Sequence, residues 1–480
     1  MSLLKAENIT VHDGAATLLS PLSLRLNPGE PLVILGEIGS GKSLMAQAIM
    51  GTLPPALVAN GQIIMGKRVL NAASPEQFQR LWGRELGVLP QEPWLSLDPL
   101  MRARDQIAEA HRLVRGLGRS AAGTRAQADL VALGLADSAD RYPHELSGGM
   151  AQRVAIAAAR AGGARITIAD EPTKGLDAAR RDDVARLMLS EMGETGGLLI
   201  ITHDLALAQM VGGHLIVLRS GEIVEQGVTD QVFASPQQPY TRQLLNADPE
   251  KWTPRKRAAS GATVVRTKDL AVARAGRTLF DKITLEIGAG EVLGVTGPSG
   301  CGKSSLGDAL LGLIKPAKGT ITRHAEKHPF AFQKLYQDPV AAFPRKQTLG
   351  KTIFDTLALS GGRPDQVERL LDRLGLDPRL LARRPDAVSG GELQRLSLLR
   401  VLLRNPSFIV ADEPTSRLDP ITQAKIISLL TEIAEKDGVA VILVSHDTAL
   451  VRSTCAKVLN LGTHCVGAVS ESDIKVEAMV

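Results

Sequence analysis

The chain has 480 residues, 44% of them hydrophobic and 22% charged, which is a composition typical of globular domains. Lys and Arg number 56 against 51 Asp and Glu, which excludes both an acidic disordered chain and a strongly basic nucleic-acid tail. Three cysteines, Cys301, Cys455 and Cys465, are too few for a disulfide framework or a four-cysteine metal site. We find no apolar run long enough to span a bilayer and therefore expect a cytoplasmic chain without transmembrane helices.

The predicted elements alternate between strands and helices along the chain. In order, the first half contains the apolar strand PLVILG, the helical stretches AQAIMGTL and AQRVAIAAARA, and the strands RITIAD and GLLIIT. Alternating strands and helices predict an α/β fold with a mostly parallel sheet.

The chain also repeats itself. Four motifs recur in the same order: GEIGSGKS and GPSGCGKS, LSGGMAQR and VSGGELQR, IADEPTKGLDA and VADEPTSRLDP, and ITHD and VSHD. The repeat predicts two domains, at residues 1–248 and 262–480, joined by a short exposed linker at 249–261. The glycine-rich motifs are 261 residues apart and the SGG motifs 242, so the second copy is 19 residues shorter between them. We expect most of this loss before Gln337, in a strand-rich surface segment.

Each copy has a glycine-rich loop, G-x-x-x-x-G-K-[ST], between an apolar strand and a helix. Such a loop binds phosphate through its backbone N–H groups and the helix N-terminus, while its Lys pairs with the β- and γ-phosphates and its Ser binds Mg²⁺. One match could be a chance glycine-rich turn, but two in the same context favour nucleotide binding. The predicted ATP-binding residues are Gly36, Gly39, Ser40, Gly41, Lys42 and Ser43 in the first copy, and Gly297, Ser299, Gly300, Cys301, Gly302, Lys303 and Ser304 in the second. We expect bound nucleotide to cover Cys301.

An Asp-Glu pair ends a predicted buried strand in each copy. We expect Asp170 and Asp412 to hold Mg²⁺, and Glu171 and Glu413 to polarise the attacking water. Alone, such a pair could simply cap the next helix, but behind a phosphate-binding loop in the same copy this alternative is weaker.

Together these motifs resemble the nucleotide-binding subunits of ABC transporters over nearly the whole chain. The resemblance implies two tandem P-loop ATPase domains, each with a mostly parallel core sheet, an antiparallel β subdomain and a helical signature subdomain. It also implies roles for further residues. These are signature contacts to the γ-phosphate bound by the opposite domain (Ser147, Gly148, Gly149, Ser389, Gly390, Gly391), Mg²⁺ and permease contacts (Gln91, Gln337), γ-phosphate contacts (His203, His446) and interface positions (Asp177, Asp419).

In that family two copies close head to tail, so each ATP lies between the loop of one copy and the signature of the other. The usual Gln after the SGG motif is Met150 in one copy and Glu392 in the other. Glu392 would place a carboxylate near a polyphosphate, and we expect that site to be the slower one.

The segment PYTRQLL after the first copy resembles the C-terminal extension of the dipeptide, oligopeptide and nickel importer ATPases. The resemblance implies a subunit energising bacterial import of a peptide, opine, nickel or metallophore. Its partners would be two transmembrane permease subunits and an extracytoplasmic substrate-binding protein, and nucleic acid would not be a partner. The chain itself would lie at the cytoplasmic face of the inner membrane. Two alternatives remain open, a soluble twin ATPase acting on ribosomes and a twin-domain sugar importer ATPase. The short linker disfavours the first, while PYTRQLL and the two intact Asp-Glu pairs disfavour the second.

Overall fold

The computed structural model describes residues 2–176, 178–255, 261–274, 276–298, 300–324, 328–464 and 477–478. The chain divides into two compact units, Met1–Leu245 and Asn246–Val480. Both units combine parallel sheets, antiparallel sheets and helices, which confirms the predicted α/β class. No helix within the described ranges combines the length and the apolar character that crossing a membrane requires.

The first unit contains two sheets. Its strands are β1 (Leu4–Asp13), β2 (Ala16–Leu26), β3 (Leu32–Leu35), β4 (Leu57–Met65), β5 (Arg68–Asn71), β6 (Leu86–Leu89), β7 (Ile166–Asp170), β8 (Gly197–Thr202), β9 (His214–Arg219) and β10 (Glu222–Val228). The core sheet has the order β10-β9-β3-β8-β7-β6 and is parallel except for the antiparallel edge pair of β9 and β10. The second sheet, β2-β1-β4-β5, is antiparallel.

Helices cover and extend the core sheet of the first unit. They are α1 (Lys42–Met50), α2 (Ala103–Leu113), α3 (Arg119–Ala132), α4 (Gly148–Ala161), α5 (Ala178–Met192), α6 (Leu205–Val211), α7 (Thr229–Ala234) and α8 (Pro239–Asn246). Every residue of β8 is buried, as expected for a central parallel strand covered on both faces. Met45 and Ile49 of α1 are fully buried in the same core as Ile34 of β3, which fixes α1 against the sheet.

The second unit repeats this arrangement. Its strands are β11 (Thr263–Arg274), β12 (Arg277–Gly288), β13 (Val292–Thr296), β14 (Lys318–Arg323), β15 (Phe332–Leu335), β16 (Phe408–Asp412), β17 (Ala440–Val444), β18 (Lys457–Asn460) and β19 (Glu477–Ala478). Its helices are α9 (Lys303–Leu311), α10 (Leu349–Leu359), α11 (Asp365–Arg373), α12 (Gly390–Leu402), α13 (Pro420–Asp437) and α14 (Thr448–Thr454). The core sheet has the order β15-β16-β17-β13-β18-β19.

The antiparallel sheets of the two copies, as far as the structure describes them, differ by one strand. Among the described residues the sheet of the second unit has three strands, β12-β11-β14, whereas that of the first unit has four. The additional strand of the first unit is β5, which pairs with β4 at the sheet edge. Since an edge strand contributes little to the nucleotide core, its loss leaves the core sheet intact.

Part of the predicted linker packs against the second unit. Trp252 is half-buried and contacts the core cluster that includes Leu430 and Val451. The backbone N–H of Arg255 donates to the carbonyl of Ser453 at 3.2 Å, and its side chain forms an ion pair with Glu435. Within residues 249–255 only Pro249 and Trp252 are partly buried, and the others are exposed. Trp252 is partly buried because a large indole ring gains more from burial than from solvent exposure. Residues 256–260 lie outside the described residues.

Candidate functional site

The first phosphate-binding loop connects β3 to α1 in a conformation that its glycines permit. A Cβ on Gly36 would lie 2.2 Å from the carbonyl oxygen of Leu218, so no larger residue fits there. Gly41 has φ +100° immediately before the helix begins at Lys42. The ammonium of Lys42 donates to the carbonyls of Gly36 and Glu37 at 2.8 and 2.7 Å, which holds a cation inside the loop at a helix N-terminus.

The second loop has the same geometry between β13 and α9. Gly302 has φ +102°, and the ammonium of Lys303 donates to the carbonyls of Gly297 and Pro298 at 2.8 and 3.1 Å. Cys301 differs from its expectation, because the residue is 7% exposed and belongs to the hydrophobic core. Protein atoms already cover the thiol, so we expect it to react slowly with alkylating reagents whether or not nucleotide is bound. Ser299 lies outside the described residues.

The carboxylate of Asp170 is the best candidate for a metal ligand in the first unit. Its Oδ1 atom is buried and has no hydrogen-bond partner, while the hydroxyl of Ser43 lies beside the carboxyl group. Burial raises the pKa of Asp170, and the charge of Glu171 adds to this rise. A buried carboxylate oxygen beside a hydroxyl fits a hard cation such as Mg²⁺, which prefers oxygen ligands and would satisfy the buried atom.

Glu171 and His203 form a pair at the carboxyl ends of adjacent strands β7 and β8. Nδ1 of His203 lies 2.7 Å from Oε1 of Glu171, and the hydroxyl of Thr202 donates to Oε2 at 3.3 Å. Burial alone would raise the pKa of Glu171, but His203, Lys42 and Thr202 together lower it. The side chain therefore carries a negative charge at neutral pH, as a group that orients water requires.

The equivalent pair in the second unit is looser and includes the predicted glutamine. Nδ1 of His446 lies 3.5 Å from Oε1 of Glu413, and Nε2 of Gln337 donates to Oε2 at 2.8 Å. Hydrogen bonding and charge from His446 lower the pKa of Glu413 against the effect of burial. The same interaction raises the pKa of His446.

Both glutamates occupy an uncommon backbone conformation. Glu171 and Glu413 have φ values of +47° and +46°, a left-handed region that residues other than glycine seldom adopt. Their backbone N–H groups donate to Ile201 and Val444 at 2.8 and 3.0 Å, so the neighbouring strand holds each turn in place. Such turns concentrate at functional sites, because they aim a side chain off the strand end.

The magnesium-site candidate in the second unit has partners that the first lacks. Ser304 donates to Oδ1 of Asp412 at 3.0 Å, and Nζ of Lys334 lies 3.0 Å from Oδ2. Lys334 also contacts Oδ1 of Asp308 at 2.7 Å. Burial would lower the pKa of Lys334, but the two carboxylates together raise it, so the side chain is a cation.

The two signature motifs begin helices α4 and α12. The hydroxyl of Ser147 accepts from the N–H of Met150 at 3.4 Å, which leaves the hydroxyl hydrogen available. At the second signature, Glu392 accepts from both the N–H and the hydroxyl of Ser389, at 2.9 and 2.7 Å. This capping box occupies donors that the predicted phosphate contact would need.

The remaining predicted residues lie around these strand ends. Gln91 is exposed after β6. Asp419 is buried, and its carboxylate accepts from the N–H of Thr422 at 3.0 Å, so it caps α13. Asp177 lies outside the described residues.

Two contacts were missed by sequence reasoning. The Tyr240 hydroxyl, in the PYTRQLL segment, accepts a hydrogen bond from the N–H of Glu37 in the first phosphate-binding loop at 3.3 Å. No sequence signal connects these residues, which are 203 positions apart. Lys334 could have been found, because comparison of the copies back from Gln91 and Gln337 aligns this charged residue with Val88.

Comparison with known proteins agrees with this geometry. The ABC transporter family profile matches residues 19–174 and 280–416. The uncharacterized ABC transporter ATP-binding protein YejF of Escherichia coli (strain K12) is 34% identical over 497 residues, covering 96% of this chain and 94% of that protein. The glutathione import ATP-binding protein GsiA of Shigella dysenteriae serotype 1 (strain Sd197) is 34% identical over 493 residues, covering 90% and 79%.

A solved structure supports the fold alone. The archaeal ribosome recycling factor aABCE1, in complex with the archaeal ribosomal stalk protein aP1, superposes with a TM-score of 0.65 over 94% of this chain and 87% of that one, at 24% identity.

The chain belongs to the ABC transporter family. It is an ATP-binding subunit with two nucleotide-binding regions, and it hydrolyses ATP to drive transport.

Proposed function

We propose that this chain is the energy-coupling ATPase of a bacterial importer for small peptides or related compounds. The observation that carries the proposal is that each unit brings a loop lysine, a strand-end Asp and a Glu–His pair to one edge of its core sheet. The carboxyl ends of parallel strands are where such folds bind their ligands. The name of one relative, the glutathione import ATP-binding protein GsiA, favours import of a small peptide.

At each site the residues divide the work of phosphoryl transfer. Lys42 or Lys303 neutralises the β- and γ-phosphates, and the N–H groups of the loop bind their oxygens. Mg²⁺ would be held by Ser43 and Asp170, or by Ser304 and Asp412, with Gln91 or Gln337 as a further candidate ligand, and it would supply positive charge that stabilises the phosphates. Glu171 or Glu413 accepts a hydrogen bond from the attacking water, and His203 or His446 contacts the γ-phosphate. The oxygen of this water bonds to the γ-phosphorus as the bond from the γ-phosphorus to the bridging oxygen breaks, giving ADP and phosphate, and the water proton is released to the phosphate or to solvent.

We propose further that each ATP lies between the two copies. The loop Gly36–Ser43 would face the signature Ser389–Glu392, and the loop Gly297–Ser304 would face Ser147–Met150. Asp177 and Asp419 would lie near this interface. The domains would be residues 1–248 and 262–480, with residues 249–261 joining them.

The partners would be two transmembrane permease subunits and an extracytoplasmic substrate-binding protein, and nucleic acid is not among them. The chain would act at the cytoplasmic face of the inner membrane. The cargo would be a small peptide, with opines, nickel and metallophores as further candidates.

Purification of the tagged chain from its native membranes tests this assignment. We expect two multi-spanning membrane proteins to copurify, and ATP-dependent uptake of a labelled small peptide by the reconstituted complex. A chain with both Lys42→Ala and Lys303→Ala serves as the control and should support no uptake. Recovery of ribosomal particles instead of membrane proteins would contradict the proposal.

A further inference from the structure

The second unit has a lysine bound to the carboxylate that we assign to Mg²⁺. Lys334 lies on β15, and its Nζ is 3.0 Å from Oδ2 of Asp412 and 2.7 Å from Oδ1 of Asp308. The other oxygen of Asp412 accepts from Ser304 at 3.0 Å. Both oxygens of Asp412 therefore already have partners within the protein.

The first unit has no charge at the equivalent positions. Val88 pairs with Ile168 on β7, two residues before Asp170, and Lys334 pairs with Val410 on β16, two residues before Asp412. The two side chains thus occupy the same register of the same strand pair, one apolar and one cationic.

The second partner of the lysine is also particular to the second unit. Asp308 is the fifth residue after Lys303, a position that Gln47 occupies after Lys42. Oδ1 of Asp170 is buried without a hydrogen-bond partner, which is the reverse of the situation at Asp412. Lys42 and Lys174 act on Asp170 through their charges, but one of its oxygens is left for a further ligand, whereas both oxygens of Asp412 are already in contact with Ser304 or Lys334.

The interaction between Lys334 and Asp412 is strong because both side chains are mostly buried. The side chains of Lys334 and Asp412 are 12% and 10% exposed, so water screens their interaction only weakly. If the ammonium of Lys334 leaves the buried carboxylate of Asp412, another cation must replace it, because an unpaired buried charge is costly. A metal ion that binds Asp412 has to compete with, or displace, the ammonium of Lys334.

We propose that Lys334 is a built-in cation that competes with Mg²⁺ for Asp412, so that the second nucleotide site binds the metal more weakly than the first. The inference rests on the proposed assignment of Asp170 and Asp412 to Mg²⁺. Lys334 is then a positioning residue that gives the two sites of one chain different affinities for the metal. At low Mg²⁺ the first site fills with the metal–nucleotide complex before the second.

Manganese binding measured by electron paramagnetic resonance tests this in the full-length chain, with the non-hydrolysable analogue adenylyl imidodiphosphate. In the Lys303→Ala chain only the first site can bind the nucleotide, and in the Lys42→Ala chain only the second site can. We expect Mn²⁺ to bind the second site about tenfold more weakly than the first. Residues that contact a metal ligand from behind typically change metal affinity by about 10–100-fold. Lys334→Met, which keeps the length and removes the charge, should recover most of this difference.

Two further variants separate this role from a structural one. Val88→Lys should weaken Mn²⁺ binding at the first site. Asp308→Asn should weaken it further at the second site, because Lys334 would then pair with Asp412 alone. Asp308→Asn and Lys334→Met therefore move the metal affinity in opposite directions, whereas loss of a structural tie between α9 and β16 would lower the melting temperature in both.

Equal Mn²⁺ affinity at the two sites, or an affinity unchanged by Lys334→Met while the nucleotide still binds, would overturn the inference and leave the proposed function intact. Failure of both single-site chains to bind Mn²⁺ with the nucleotide would instead overturn the assignment of the sites themselves.

Discussion

Nδ1 of His203 lies 2.7 Å from Oε1 of Glu171, whereas Nδ1 of His446 lies 3.5 Å from Oε1 of Glu413. The tighter pair is also the more buried, with side chains 16% and 10% exposed against 29% and 19%. Gln337 supplies a second partner to Glu413 at 2.8 Å. Two sites built from the same motifs therefore hold their glutamates in different ways.

Neutralising either glutamate should slow hydrolysis while leaving ATP bound. Glu171→Gln and Glu413→Gln each remove the negative charge that orients water, and we expect a loss of about 10²–10⁴-fold at the affected site. The double variant should retain two ATP per chain after rapid gel filtration. Glu194→Gln, at an exposed position, is the matched control and should behave as wild type. Full turnover by the double variant would contradict the assignment.

The signature of the second unit should respond to removal of one charge. Glu392→Gln keeps a capping-box side chain but removes the carboxylate that binds both donors of Ser389. We expect turnover to rise by up to roughly fivefold, corresponding to about 1 kcal/mol for an exposed charge. Met150→Gln changes no charge in the first signature and serves as control. Turnover unchanged by Glu392→Gln would show that the carboxylate does not hinder the phosphate.

The pair of Glu413 and His446 should make stability depend on pH. The pKa of His446 is raised and that of Glu413 is lowered, so the pair stabilises the fold where His446 is protonated and Glu413 is ionised. This contribution is present from above the ordinary carboxyl range to the ordinary histidine pKa of about 6.5. It is lost as pH rises through the raised pKa of His446, and also as pH falls through the lowered pKa of Glu413.

Nuclear magnetic resonance titration of the imidazole measures this effect directly. Glu413→Gln should lower the pKa of His446, and it should reduce the melting temperature more at pH 6 than at pH 9. A pKa of His446 unaffected by Glu413→Gln would rule out the ion pair.

The contact between Tyr240 and Glu37 should affect ATP affinity at the first site only. Tyr240→Phe removes the hydroxyl that accepts from the loop N–H, but keeps the ring under Arg219. Loss of one hydrogen bond costs about 0.5–1.5 kcal/mol, so we expect ATP affinity at the first site to fall by up to roughly tenfold. Binding of a fluorescent ATP analogue to the Lys303→Ala chain measures it. The same substitution in the Lys42→Ala chain should leave the second site unchanged, and an equal loss at both would contradict a local effect.

The sequence by itself determined the α/β class, the duplication and the residues that could bind nucleotide. Local chemistry sufficed for this, because the glycines of a phosphate-binding loop, a following Lys and a strand-end Asp-Glu pair occur within short stretches. Apolar runs such as Gly197–Thr202 likewise revealed buried parallel strands, whose carboxyl ends must meet at one edge. Repetition of every motif then identified the residues equivalent in the two copies.

Only the tertiary structure decided what those side chains do with one another. Lys334 and Asp412 are 78 positions apart and meet because β15 and β16 are neighbours in the sheet. Trp252 packs against the core of the second unit, although its neighbours in the predicted linker are exposed. Cys301 turns its thiol into the core, although its backbone lies in the phosphate-binding loop. Such outcomes depend on burial and on distances between remote segments, and neither is encoded in the spacing of a motif.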